Sequence, residues 1–244
     1  MLFGTADVDE LATGAPTMER LDTEPLTLPG VWVLQTTFEM PIAARECLLP
    51  PGLHPTDPPL VSWLFFQCAD GPLGPFTLAQ LRVSCRSGLR PRGFLVESVV
   101  DSTEAGRALA AGWGFRHRLG QVRLARGYDA VTGTVQCNGR TLLEVALRDP
   151  DPLGAHDVQY TAGMHLARTP RGMRLVQVDP TFVVARAERG RPSLGAFDAA
   201  AWGDARVAPR HPVSASIALA DVTLPKLRFL CRPDVWAFDG TESA

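Results

Sequence analysis

The sequence predicts a β-dominated α+β fold in a single domain, with an antiparallel barrel or sandwich at its core. Short apolar and β-branched stretches recur about every ten residues, which is typical of all-β architectures. Helix-forming segments are few, and strands do not alternate with helices as they do around a parallel sheet. The chain has 244 residues, of which 45% are apolar, so it is long enough to bury a full core.

Residues 1–28 are polar and contain prolines, so they are predicted as an arm that precedes one domain of residues 29–244. After the arm, β-branched and aromatic residues predict the strand Val31–Phe38, and Met40–Leu49 is predicted as a short helix. Prolines then break the chain before a series of strands. These strands are predicted at Leu60–Cys68, Phe76–Cys85, Gly93–Val100, Gln121–Leu124, Ala130–Cys137, Thr141–Leu147, Val158–Arg168, Met173–Ala187, Ser214–Leu224 and Leu227–Leu230.

Local signals predict one longer helix and two hairpins. Asp101 and Glu104 form the pattern of a capping box for a helix at Ser102–Ala111. The dipeptide Asn138-Gly139 predicts a type I′ turn, because both central positions of that turn need a positive φ. A second hairpin is predicted at Pro170-Arg-Gly172.

Charge and hydropathy exclude several classes of partner. The net charge of −2 gives no basic surface for nucleic acid. The longest apolar run, Leu60–Phe66, is far shorter than the roughly 18 residues of a membrane span, and the first arginine, Arg20, is too far along for a signal peptide. Five widely spaced cysteines without a CxxC pair disfavour a disulfide framework. We therefore expect a cytoplasmic protein without nucleic-acid or membrane partners.

The basic residues are almost all arginine. Lys226 is the only lysine among the 24 basic residues, so a mechanism that needs a side-chain amine has one candidate. His156, Asp157 and His165 lack the spacing of known metal-binding motifs. No phosphate-binding glycine loop is present. The sequence therefore predicts neither a metal nor another cofactor.

One loop combines aromatic and basic residues. Trp113 and Phe115 lead directly into Arg116, His117 and Arg118, between a predicted helix and a predicted strand. Such a loop is either a solvated basic turn or a cationic wall that faces an anionic ligand, with His117 as its titratable member. The residues alone leave both interpretations open.

Several motifs, in order over residues 30–232, resemble the acetoacetate decarboxylase superfamily. The resemblance implies a cone-like, largely antiparallel β-barrel with a central cavity and a few short helices, and it assigns residues 29–244 to an acetoacetate decarboxylase-like domain. The strand pattern predicted above agrees with that fold. The motifs are Leu48-Leu-Pro-Pro-Gly-Leu53, Gly74-Pro75-Phe76, Val99-Val-Asp101, Gly106-Arg107, Trp113-Gly114-Phe115 and Ala220-Asp221-Val-Thr-Leu-Pro225.

The resemblance also shows how this chain departs from the family. Family decarboxylases use a loop Phe-Pro-Lys-Lys-Leu-Gly, in which one lysine forms a Schiff base with the substrate ketone. In the matching loop His117 occupies the Schiff-base position, Arg118 its cationic neighbour and Arg116 the proline. An imidazole cannot form the iminium electron sink of that reaction. We therefore expect no Schiff-base decarboxylation.

Two cavity glutamates of the family correspond to Leu64 and Leu78, which makes the expected cavity more apolar. Lys226 matches a position on the last strand and not one on the loop. The predicted cavity-lining residues are Leu64, Leu78, Phe76, Trp113 and Phe115.

The first functional hypothesis is an enzyme that acts by general acid–base chemistry. His117 would move protons, while Arg118 or Arg116 would hold an enolate or carboxylate. The reaction would be a cyclisation, dehydration, aldol-type step or isomerisation of a carbonyl-bearing, polyketide-like or keto-acid small molecule, in bacterial secondary metabolism.

The alternatives are a non-catalytic member of the fold that binds an apolar carboxylate, and a decarboxylase that works without lysine. Relatives assemble into oligomers, so the resemblance leaves a homo-oligomer as a possible assembly.

Overall fold

The computed structural model describes residues 2–202 and 204–244. Over these residues the chain forms three short helices and fifteen strands. The helices are α1 (Val8–Ala12), α2 (Thr103–Trp113) and α3 (Ala237–Gly240). The strands are β1 (Leu26–Glu39), β2 (His54–Pro55), β3 (Leu60–Cys68), β4 (Phe76–Ser87), β5 (Arg90–Val100), β6 (Arg118–Leu119), β7 (Gln121–Arg126), β8 (Ala130–Cys137), β9 (Arg140–Leu153), β10 (Gly163–Thr169), β11 (Gly172–Val178), β12 (Thr181–Phe197), β13 (Pro212–Leu224), β14 (Phe229–Cys231) and β15 (Thr241–Ser243).

All of these strands belong to one sheet. Its order is β15-β14-β11-β10-β5-β4-β3-β1-β13-β12-β9-β8-β7, with β2 paired to β4 and β6 paired to β5. Most neighbours are antiparallel, while β10 and β6 each lie parallel to β5. The prediction of a β-dominated, mainly antiparallel fold with few helices is confirmed. The hydrogen-bonded path through the described strands runs from β15 to β7 and does not close into a complete barrel.

Both faces of the central strands are buried, because side chains alternate between two apolar clusters. On β3, Leu64 and Phe66 point to the side that α2 covers, where they pack in one cluster with Leu109. We call this side the α2 face. Trp63 and Phe65 point to the opposite face and belong to the second cluster.

The ends of α2 fix the loop that follows it. Ser102 is the N-cap, and its hydroxyl accepts a hydrogen bond from the N–H of Ala105 at 3.2 Å. The predicted cap, Asp101, instead accepts the N–H of Thr77 at 2.6 Å, so the capping-box prediction was wrong by one residue. At the other end Gly114 adopts φ 66°, a left-handed conformation that glycine takes without strain.

The predicted helix Met40–Leu49 is wrong, because only one 3₁₀ turn forms, at Ile42–Ala44. In a continuing helix the carbonyl of Glu46 would bond the N–H of residue 50, but Pro50 has none. Two other groups bond that carbonyl: the N–H of Thr5 at 2.8 Å and, in a tight turn, the N–H of Leu49 at 3.2 Å. The N-terminal segment thus satisfies groups that a helix would leave unpaired.

Two other predicted elements have different bounds. The strand expected from Val158 begins only at Gly163, because a 3₁₀ turn and irregular chain precede it. The stretch Met173–Ala187 is interrupted near Pro180, which has no N–H for the ladder, so it divides into β11 and β12. The Asn138-Gly139 turn is confirmed, with φ 51° and 74°.

The N-terminal segment lies against the sheet. Met18 is buried, and its N–H bonds the carbonyl of Arg168 at 2.8 Å. The division of the chain after residue 28 stays a prediction.

Candidate functional site

An apolar chamber lies on the α2 face, between the sheet and α2. It encloses about 20 Å³ of free volume, close to what one water molecule needs. The exposed surface of its walls is apolar, and Arg82 is the one residue with a charged side chain among those that line it. The remaining lining residues are Leu28, Phe66, Phe76, Leu78, Leu109, Phe115, Pro180, Val222 and Leu224.

Three of the residues predicted to line a cavity are chamber walls, namely Phe76, Leu78 and Phe115. Leu64 lies on the same face of β3, two residues from the wall residue Phe66. Trp113 packs in the same cluster, and its Nε1 donates to the carbonyl of Pro225 at 2.7 Å.

His117 is half-buried beside α2 and is not a chamber wall. Its Nδ1 lies 3.3 Å from the carbonyl oxygen of Phe115. The ring fills the space left by the missing side chain of Gly106, because a Cβ there would lie 2.7 Å from Cδ2 and Nε2 of the imidazole.

Arg116 and Arg118 point away from the α2 face, as alternation with His117 requires. Arg116 pairs with Glu97 on the opposite face, with 3.5 Å between Nε and Oε2. Arg118 donates to the carbonyl of Ala201. The structure therefore separates the three predicted catalytic residues, and neither arginine lines the chamber.

Sequence reasoning missed a group of buried polar side chains next to the chamber, which we call the Arg82 cluster: Gln80, Arg82, Ser98 and His165. Gln80 and Arg82 continue the alternation of Phe76 and Leu78 along the α2 face of β4, and Ser98 is the β5 partner of Gln80. Arg82 is 5% exposed and the other three are fully buried.

Arg82 is a buried cation without a carboxylate partner among the described residues. Its Nη1 donates to the carbonyl of Thr161 at 3.0 Å, and its Nη2 donates to Oε1 of Gln80 at 2.5 Å. Its Nε has no hydrogen-bond partner within the described chain. Burial lowers the pKa of the guanidinium to about 10, so it remains protonated at neutral pH.

His165 is held with one nitrogen free. Its Nδ1 lies 2.8 Å from the carbonyl oxygen of Trp113, so Nδ1 carries the proton and Nε2 presents a lone pair. Burial, and then the charge of Arg82, lower the pKa of His165 to about 3, while the bond to Trp113 offsets part of that effect. The ring contacts the chamber wall Phe115 edge to face, with centroids 4.5 Å apart.

A signal for this cluster was present in β4. All of its residues from Phe76 to Val83 are buried, so each of its polar side chains must lie inside the protein. Gln80 and Arg82 stand at the second and fourth positions after Leu78, on the same face. A polar pair at inward positions of a doubly buried strand indicates an internal site.

A second, larger cleft lies between the N-terminal segment and the opposite face, with a volume of about 380 Å³. Its two arginines are both paired: Arg116 with Glu97, and Arg206 with Asp204 through Nε and Oδ1 at 2.8 Å. The cleft therefore offers no open cation to an anionic ligand.

Lys226 is exposed on the segment after β13 and is not a chamber residue. Over residues 2–202 and 204–244 the structure brings together no group of three or more histidine, cysteine or acidic side chains that could hold a metal ion. None of the helices in this part of the chain is long and apolar enough to cross a membrane.

Comparison with known proteins agrees with this architecture. The structure resembles acetoacetate decarboxylase from Legionella pneumophila, with a TM-score of 0.74 and 20% sequence identity over 91% of this chain and 96% of that one. It also resembles an acetoacetate decarboxylase-like enzyme from Sphingomonas wittichii, with a TM-score of 0.66 and 21% identity over 84% and 92% of the two chains.

A third similar structure is the enduracididine biosynthesis enzyme MppR bound to pyruvate, with a TM-score of 0.66 and 18% identity over 84% of this chain and 88% of that one. No curated protein matches by sequence. The family model for acetoacetate decarboxylase matches residues 14–232. The chain therefore belongs to the acetoacetate decarboxylase family.

Proposed function

We propose that this protein is an enzyme that acts on a small, apolar, carbonyl-bearing molecule by proton transfer, without a Schiff base. The observation that carries the proposal is the composition of the chamber, whose exposed walls are apolar and whose one lining residue with a charged side chain is an arginine, Arg82, and not a lysine. The only lysine, Lys226, lies exposed outside it. A ligand with an apolar body gains about 25 cal/mol for each Å² it buries against such walls.

The ligands of a similar protein support the carbonyl part of the proposal. MppR has been crystallised with pyruvate and with the condensation product of pyruvate and imidazole 4-carboxaldehyde. A keto acid and its condensation product with an aldehyde are thus both bound by one protein of this fold. Cyclisation, dehydration, aldol-type and isomerisation reactions of such molecules move a proton at a carbon next to a carbonyl, which a positioned imidazole can do.

Two imidazoles are candidates for that proton transfer. Neither ring lines the chamber. His165 contacts the wall residue Phe115 and keeps an unbonded Nε2 that lies over Gly163, whereas His117 packs over Gly106 of α2. We therefore assign the role first to His165 and second to His117. Burial is the main cause of the low pKa of His165, and the charge of Arg82 is the second. An anionic ligand beside Arg82 would remove the second cause, and so make Nε2 a stronger base when the ligand is present.

A second candidate function is non-catalytic binding of an apolar carboxylate. The apolar walls favour it, because binding needs no group placed for proton transfer and neither His165 nor His117 lines the chamber. In that case a ligand would stabilise the protein and be recovered unchanged.

Borohydride trapping tests the absence of a Schiff base. The protein is incubated with pyruvate or acetoacetate and sodium borohydride, and its intact mass is measured, with a Lys226→Arg variant as the control for surface reaction. We expect no added mass in either protein. A stoichiometric adduct on Lys226 of the wild type would overturn the proposal.

Exchange of the hydrogens next to the ketone for deuterium, followed by NMR in D₂O, separates enzyme from binder. We expect the wild type to accelerate this exchange for at least one keto acid, and His165→Asn to lose most of the acceleration. If His117→Ala loses the accelerated exchange and His165→Asn keeps it, the proton-transfer role belongs to His117. Stabilisation by a keto acid without any exchange would favour the binding function.

A further inference from the structure

Arg82 carries a buried positive charge for which the described residues supply no carboxylate partner. Arg92 is buried to a similar degree, 7% exposed against 5%, but it has a carboxylate partner, with 3.3 Å between its Nη2 and Oδ1 of Asp179. Among residues 2–202 and 204–244, Arg82 bonds only the neutral groups Thr161 and Gln80. Because burying an unpaired charge costs several kcal/mol, an interior cation of this kind points to an anion that binds beside it.

The unpartnered polar groups around Arg82 are hydrogen-bond donors, which is what an anion requires. Nε of Arg82, Nε2 of Gln80 and Oγ of Ser98 have no partner within the described chain, and all three can donate. The bond from Arg82 to Oε1 fixes the Gln80 amide with its nitrogen turned away from the guanidinium. One cation and several neutral donors are thus left open on one face of β4 and β5.

We propose that the Arg82 cluster is an anion subsite, which takes the carboxylate of an acid whose apolar body occupies the chamber. This inference rests on the proposed function and adds the substrate class: an apolar monocarboxylic acid, keto acids included. A single negative charge balances the single guanidinium, whereas a phosphate would leave a second charge buried without a partner. A planar carboxylate can also accept from Arg82 and from the neighbouring donors together.

Entry of the acid requires the chamber walls to move apart, because about 20 Å³ holds no more than one water molecule. Leu109 and Phe115 are the wall residues contributed by α2 and by the loop after it. The carboxylate would displace whatever water solvates the open donors, and the apolar body would take the place of these side chains against the sheet.

The test compares butyrate with its uncharged isostere butyramide. Binding is measured by thermal shift and by calorimetry in wild type, Arg82→Met and Arg92→Met. Charge-assisted hydrogen bonds contribute about 1.5–3 kcal/mol, so butyrate should bind the wild type roughly 10- to 100-fold more tightly than butyramide. In Arg82→Met the two probes should bind alike, while Arg92→Met should keep the preference for butyrate.

The outcomes separate the two proposals. If the wild type binds butyramide as tightly as butyrate, the anion subsite is wrong and the apolar chamber stands. If Arg82→Met retains the preference for butyrate, the anion binds elsewhere and the subsite is also wrong. If neither probe binds the wild type, the chamber itself is not a ligand site, which overturns the proposed function together with this inference. The comparison of butyrate with butyramide can be made in the wild type alone, so it does not depend on whether either variant folds.

Discussion

Arg82 donates from Nη2 to Oε1 of Gln80 over 2.5 Å, between two side chains that stand two residues apart on the same face of β4. The bond satisfies one end of each group and leaves the other end open, at Nε of the arginine and Nε2 of the amide. The pair is therefore held in place by its own contact while its remaining donors stay available.

Replacement of Arg82 by methionine should not destabilise the unliganded protein. Methionine keeps much of the side-chain volume and removes a buried charge without a carboxylate partner, so we expect the free energy of unfolding at pH 7 to rise by about 1–4 kcal/mol. Urea denaturation monitored by tryptophan fluorescence measures it. The folded-state pKa of about 10 lies below the ordinary value of 12.5, so the cost is fully present below pH 10 and is relieved as the pH rises beyond it.

Arg92→Met is the matched control for that measurement, since it removes a similarly buried arginine that does have a partner. Loss of the pair with Asp179 should lower the stability. A large loss of stability in Arg82→Met would mean that its hydrogen bonds outweigh its desolvation.

His165 should make the protein sensitive to acid. Its folded-state pKa of about 3 lies below the ordinary histidine value of 6.5, so the unfolded chain takes up a proton first as the pH falls. The free energy of unfolding should fall by up to about 1.4 kcal/mol per pH unit below pH 6.5, and level off near pH 3. His165→Asn keeps a donor for the carbonyl of Trp113 and should flatten this slope.

The control for acid sensitivity is His156→Asn, because His156 is largely exposed beside Asp157. The difference between wild type and His156→Asn should be small over the same pH range. Equal slopes in wild type and His165→Asn would show that other groups cause the acid sensitivity.

Much of the fold could be predicted because it depends on local signals. The apolar strand Leu60–Cys68 and the Asn138-Gly139 turn are properties of neighbouring residues, and both are present as expected. The Met40–Leu49 helix failed because one partner of Glu46 is Thr5, which lies some forty residues earlier in the chain. A pattern within ten residues holds no information about such a contact.

The site was less predictable because it also depends on contacts between residues that lie far apart in the chain. The sequence gives no direct sign that Arg82 lacks a carboxylate, because that depends on which residues β5 and β10 bring beside it. A bulge after Leu81 shifts the register with β5 at this point, so Arg82 faces Leu95 while Glu97 faces Leu81. Glu97 consequently lies on the opposite face, where it pairs with Arg116.

Arg116 should help to hold the N-terminal segment against the sheet. Besides its pair with Glu97, its Nη1 donates to the carbonyl of Leu11 at 3.3 Å. Loss of this bond in Arg116→Ala should cost about 1 kcal/mol, which corresponds to roughly fivefold faster cleavage of the segment by protease. Limited proteolysis with mass spectrometry measures the rate. Arg123→Ala removes an exposed arginine from β7 and should leave the rate unchanged.

Substitutions at two glycines of α2 test whether the imidazole of His117 packs on this helix. Alanine in place of a helical glycine stabilises by up to about 1 kcal/mol. Gly112→Ala should gain part of that amount, because Gly112 lies in the last turn of α2 and its Cβ would meet Cγ2 of Thr23 at 3.4 Å. Gly106→Ala should instead destabilise by about 1–3 kcal/mol, because its Cβ would lie 2.7 Å from the imidazole of His117 and 2.9 Å from Cγ1 of Val100. In a His117→Ala background the penalty at Gly106 should shrink, because two of the three atoms nearest to the new Cβ belong to the imidazole, while the gain at Gly112 should not change. Urea denaturation of the four variants and the two backgrounds measures both couplings. A penalty at Gly106 that is the same with and without the imidazole would place His117 away from α2 in solution, and would leave its ring free to reach the chamber.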